Sequence, residues 1–163
     1  MKLALGGLDH DGARRIAGEI DFCFRLLLLG RLCGGLCRRR ARRNCVLGNG
    51  EVITYPVGVG KRGRSWAGTG AISGKYIRPA WSPPRAIRRV KPWLPDYIPG
   101  GSPQNPMGAA AMTLTVDQYA IHGTNDPGSI GGFVSFGCIR MHNSDILDLF
   151  KRVRVGTRVV VLQ

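Results

Sequence analysis

Ile121-His122-Gly123-Thr124, followed by Val134-Ser135-Phe136-Gly137-Cys138-Ile139-Arg140-Met141, decides how this chain is read. Short apolar runs alternate here with glycine, the texture of strand ends joined by turns. Cys138 is the only cysteine after residue 45. A thiol attacks as thiolate, and a free cysteine is only a few per cent ionised at neutral pH. Cysteine chemistry therefore needs a histidine within hydrogen-bond reach. His122 lies sixteen positions upstream, a separation that one loop between two strand ends can close. Gly137 lets the backbone turn tightly, so the amides of Gly137 and Cys138 are expected to face one spot and hold an oxyanion. The carbonyl of Gly123 could accept the Nδ1 proton of His122 and leave Nε2 facing the thiol. Arg140 could pair bidentately with a substrate carboxylate.

Working outward, Ala111 to Thr115 and Tyr119 to His122 read as two short strands around Val116-Asp117-Gln118. After the cysteine, Asn143 or Ser144 is a plausible helix cap. Ile146, Leu149, Phe150 and Val153 follow at the spacing of an amphipathic helix. Arg158-Val159-Val160-Val161-Leu162 reads as a terminal buried strand. Upstream, Gly48-Asn49-Gly50 offers the positive φ angles of a tight hairpin turn. Glu51 to Val59 then reads as a strand, with Pro56 implying an edge or a bulge. Residues 61–106 are rich in Pro, Gly, Arg and Trp and read as a long, ordered but irregular loop. A loop of that length inside a compact domain is usually a lid or binding wall. With 24 glycines, 10 prolines and 44% apolar residues, the chain is predicted to be mostly β, one domain with a real core.

The first 45 residues have a different texture. They hold ten Lys and Arg, four Asp and Glu, and four of the five cysteines (Cys23, Cys33, Cys37 and Cys45). The apolar run Phe22 to Gly30 is interrupted by Arg25 and is shorter than the about 20 apolar residues of a membrane span. It is a poor signal peptide, because acidic residues precede it and arginines fill the cleavage zone. Residues 1–45 are therefore expected to be a degenerate segment, a signal or anchor remnant or a misread frame, and 46–163 the folded domain. The hairpin at Gly48-Asn49-Gly50 needs a strand before it, and residues 36–44 offer arginines and glycines. A missing partner strand is the expectation.

The net charge of +14 predicts attraction to nucleic acid, membrane headgroups or an anionic wall polymer, without choosing among them. A body with a single cysteine argues against a disulfide framework. Plainer readings stand beside the catalytic one. A cysteine is often just a small buried hydrophobe, a lone histidine often structural, and Arg140 could be a solvated charge. His122, Cys138 and His142 form at most a weak metal set, lacking the paired ligand spacings of structural zinc.

Further residues carry a resemblance. Tyr55-Pro56-Val57-Gly58-Val59-Gly60-Lys61, Asn105-Pro106-Met107-Gly108, Ile121-His122-Gly123-Thr124-Asn125, Ser129-Ile130-Gly131 and Ser135-Phe136-Gly137-Cys138-Ile139-Arg140-Met141 occur in that order. From about Leu47 to its C-terminus the chain resembles the L,D-transpeptidase catalytic domain of bacterial cell-wall enzymes (YkuD type, with the ErfK, YbiS, YcfS and YnhG proteins). The resemblance implies a β-sandwich or barrel with one short helix after the cysteine. It implies a cysteine acyltransferase of the periplasm or cell envelope, acting on peptidoglycan stem peptides, with no cofactor and no metal. Cys138 would be the nucleophile, His122 the base and then acid, and Gly123 the residue orienting the imidazole. Arg140 would bind a substrate carboxylate, with Ser135 and Gly137 shaping the cleft. A tetrapeptide donor would be attacked at its meso-diaminopimelate–D-alanine bond. An amine on a second stem or on an envelope protein would take the acyl group. A hydrolase on the same scaffold and an inactive wall-binding module are the alternatives. No nucleic-acid motif accompanies the charge, and no stable transmembrane span is expected. The chain departs from the family pattern at Phe136, where many relatives have histidine or serine. It departs again at Trp66-Ala67-Gly68-Thr69-Gly70, where the pattern has Thr-Pro-Thr-Gly.

Overall fold

The structure, a computed structural model, describes residues 22–25, 42–46, 52–116 and 119–162. Among these residues nine strands form one sheet. β1 is Phe22–Arg25, β2 Arg42–Val46, β3 Val52–Gly60, β4 Gly68–Ile77 and β5 Ala110–Leu114. β6 is Ala120–His122, β7 Phe133–Ser135, β8 Ile139–Met141 and β9 Arg158–Leu162. The strand order is β1-β9-β4-β5-β6-β8-β3-β2, with β7 pairing β3 beside that path. Two helices accompany the sheet, α1 (Arg85–Val90) and α2 (Asn143–Arg152). The mostly β expectation holds, with one helix more than was expected.

Alternation along the strands builds the core. Val57 and Val59 of β3, Ile72 of β4, Met112 of β5, Ile121 of β6, Ile139 and Met141 of β8 and Val159 of β9 are buried in one cluster. α2 lays Ile146 and Leu149 onto it, both fully buried, and Val153 follows just past the helix end. The i, i+3, i+7 spacing therefore faces the core as its period requires.

Three expectations change. Gly68–Ile77 lies inside the stretch read as an irregular loop, yet it is a ten-residue strand between β9 and β5. Its glycines carry no strand signal, but Gly70 and Gly74 sit where space is absent. A Cβ on Gly70 would meet Val116 at 2.7 Å, and one on Gly74 would meet the Tyr76 hydroxyl at 2.7 Å and Thr113 at 2.9 Å. The rest of the stretch is a wall, as expected, although it contains α1. A backbone bridge between Trp81 and Ile98 closes its neck, and Asn105 Nδ2 donates to the carbonyls of Pro79 and Pro99 to pin it down.

The second change is the hairpin partner. Arg42–Val46 pairs antiparallel with β3, from Arg42↔Pro56 to Val46↔Val52. The strand thought missing is therefore present, and Phe22–Arg25 also joins the sheet, parallel to β9. Backbone pairing needs no hydrophobic side chain, so arginines did not prevent it. The turn Gly48-Asn49-Gly50 and the remainder of residues 1–45 lie outside the described residues. Third, α2 begins after His142, which makes no side-chain cap, and Asn143 serves elsewhere.

Candidate active site

β6 and β8 run parallel, with Ile121 opposite Ile139 and His122 opposite Arg140. Successive residues of a strand face opposite sides, so Ile121, Ile139 and Met141 enter the core. His122 and Arg140 share the other face. Cys138, the residue before β8, falls on that same face, diagonal to His122. Residues sixteen positions apart in sequence thus come to one face of the sheet because two short strands pair in this register. Cys138 is half-buried and in no disulfide.

His122 is 4% exposed, and its Nδ1 lies 2.6 Å from the Gly123 carbonyl oxygen. A carbonyl only accepts, so Nδ1 carries the proton and Nε2 keeps its lone pair. Burial lowers the pKa to about 4, and Arg140 adds to the lowering, while the carbonyls of Gly123 and Pro106 oppose it. Burial pushes the Cys138 thiol up, against the pull of the Ala120 backbone and the Arg140 charge. Burial thus favours the neutral form of both the imidazole and the thiol.

Ser135, Phe136 and Gly137 form the turn into the cysteine. Ser135 Oγ donates to the Cys138 carbonyl at 2.6 Å and accepts from the Gly137 amide at 3.1 Å. That second bond corrects the expected pair of oxyanion donors, because the Gly137 amide is engaged inside the turn. Gly137 has φ +125, and a Cβ there would lie 2.1 Å from the Tyr119 ring and 2.9 Å from the Arg64 carbonyl. Only glycine fits. Tyr119 itself stacks on Trp66, ring centroids 5.6 Å apart.

Asn143, expected as a helix cap, ties the site together instead. Its Oδ1 accepts from the amides of Ala109 (2.9 Å) and Thr124 (3.1 Å), and its Nδ2 donates to the Thr124 carbonyl (3.0 Å). Gly123 and Gly108 leave room for it: a Cβ on either would come within 2.3 Å of Oδ1. Sequence reading missed this role because capping and bracing use the same side-chain chemistry and differ only in partners far along the chain.

A cleft of about 640 Å³ opens beside Arg140, with Lys61, Arg64, Trp81, Lys91 and Trp93 in its lining. Arg140 Nε is buried without a hydrogen-bond partner. Among the described residues no three His, Cys, Asp or Glu side chains converge to hold a metal ion, so His122, Cys138 and His142 are not assembled into one site.

Residues 37–161 match the profile of the YkuD family, described as the L,D-transpeptidase catalytic domain. The chain belongs to that family. Among L,D-transpeptidase relatives, "Probable L,D-transpeptidase YbiS" of Escherichia coli K12 is 41% identical over 120 residues, 69% of this chain and 38% of the relative. "Probable L,D-transpeptidase ErfK/SrfK" of the same strain is 42% identical over 119 residues, 68% of this chain and 37% of the relative. The chain thus spans well under half the length of these curated relatives. An L,D-transpeptidase from Mycobacterium smegmatis shares the fold with a TM-score of 0.63 at 18% identity, over 89% of this chain and 59% of that one. Arg42–Val46 falls inside the L,D-transpeptidase match, and no helix among the described residues is long and apolar enough to cross a membrane.

Proposed function

We propose that this chain is a cysteine-dependent peptidoglycan L,D-transpeptidase of the periplasm or cell envelope. The observation that carries the reading is the shared face of His122, Cys138 and Arg140, with His122 Nδ1 held by the Gly123 carbonyl. Nε2 of His122 takes the thiol proton as Cys138 Sγ attacks the diaminopimelate carbonyl of a tetrapeptide stem. The tetrahedral intermediate collapses, and the imidazolium returns the proton to the departing D-alanine amine. A thioester remains. An acceptor amine, on a second stem or an envelope protein, then attacks it while His122 takes the amine's proton and Cys138 leaves.

Arg140 has two parts in this scheme. Its buried, unpartnered Nε and its place in the cleft suit a substrate carboxylate. Its charge also lowers the proton affinity of His122. A bound carboxylate offsets that charge, so donor binding raises the basicity of His122 when a base is needed. Ser135 and Gly137 keep the turn rigid beneath the nucleophile.

The test is intact mass of the full chain incubated with a diaminopimelate tetrapeptide. The expected result is an adduct of the peptide less D-alanine, absent in Cys138→Ala and slowed by about a hundredfold or more in His122→Gln. An undiminished adduct in Cys138→Ala overturns the reading. Products with and without an added amine then separate transfer to that amine from hydrolysis.

A further inference from the structure

Arg64 lies over the Phe136 ring, the guanidinium carbon 4.5 Å from the centroid. A guanidinium covered on one face by an aromatic ring keeps its in-plane N–H fork open, the edge that pairs bidentately with a carboxylate. Arg64 is also fixed near the nucleophile. Its amide donates to the Lys61 carbonyl at 2.8 Å, and its own carbonyl lies against Gly60 and Gly137, 2.9 Å from where a Cβ on either would stand.

Arg64, Phe136 and Arg140 line one cleft together with Lys61 and Lys91, and Asp126 is the sole acidic side chain in that lining. A cleft so charged concentrates anions. One carboxylate, at the scissile end of the donor, suffices for Arg140. The remaining positive charge has no counterpart in that assignment.

We propose that Arg64, set on Phe136, reads a second carboxylate, the one that diaminopimelate keeps free at the far end of its side chain. The enzyme accordingly selects diaminopimelate donors over those in which that group is an amide or is missing. This rests on the acyl-transfer reading of Cys138, and its test keeps the two apart.

Three tetrapeptides serve, identical except at the third residue: diaminopimelate, its side-chain carboxamide, and lysine, which lacks the group. Initial rates of adduct formation are read by intact mass across peptide concentration, with the melting temperature of each variant measured alongside. The wild type is expected to prefer diaminopimelate by about tenfold over both others, chiefly through half-saturating concentration. Arg64→Gln reduces that preference to within about threefold, and Phe136→Leu narrows it while retaining the cation. Equal wild-type rates on all three peptides, or a full preference surviving in Arg64→Gln, overturn the assignment and leave the nucleophile standing. An adduct from none of the three removes the acyl-transfer reading and this one with it.

Discussion

The surroundings of His122 keep it uncharged, as the proposed base requires, and that arrangement has a thermodynamic cost. In the unfolded chain the ring takes a proton near its ordinary pKa of 6.5, whereas in the folded protein it waits until about 4. Between those values the unfolded state binds more protons, so stability falls as pH drops from 6.5 towards 4 and is flat in this group below that. The gap is worth about 3 kcal/mol at the acid end. Urea unfolding midpoints at pH 7, 5.5 and 4.5 should show this slope, and His122→Gln should lack it. A variant with the wild-type slope would mean that other groups set it. Asn143 acts at the same scale by another route. By bracing Thr124 and Ala109 it fixes the segment whose Gly123 carbonyl holds the imidazole.

Between elements, Lys75 of β4 reaches across to the end of α2. Its Nζ donates to the Phe150 and Val153 carbonyls, each at 2.6 Å, and sits 4.2 Å from the Phe150 ring centroid. A cation there satisfies two terminal carbonyls and opposes the negative end of the helix dipole. Lys75→Met should lower unfolding free energy by about 1–2 kcal/mol, measured by urea denaturation. A loss within error would show that solvent serves those carbonyls as well. This contact could not be foreseen, because β4 itself was invisible in the sequence. Glycines at 68, 70 and 74 read as loop, and the reason for those at 70 and 74 is the crowding from Val116, Tyr76 and Thr113 that only the assembled sheet creates. By contrast β5, β6, β9 and α2 were legible, since apolar period alone marks an element that buries one face. The site divides along the same line. His122, Cys138 and Arg140 stand out by residue type, whereas Asn143 and Arg64 are marked by contacts with partners far along the chain.

At the scale of the whole molecule, the question is where the folding unit begins. β2 supplies the backbone partner for Val52 to Pro56, and the next residues of β3 are held by β8, Val57 against Met141 and Gly58 against Arg140. One strand therefore links the N-terminal pairing to the residue that faces His122. The family match likewise reaches back to residue 37. Removing β2 leaves the first half of β3 as an open edge, which costs backbone hydrogen bonds and invites pairing between copies. A chain begun at Leu47 should accordingly unfold with about 2 kcal/mol less stability than one begun at Cys37, and should associate further as concentration rises. Because β3 also carries the pairing to Arg140, the shorter chain should form its acyl adduct more slowly at equal folded fraction. Unfolding curves, light scattering and adduct rates on the two chains check this together. Equal stability and equal rate would show that the sheet closes without β2. A stability loss with an unchanged rate would confine its role to protecting the edge.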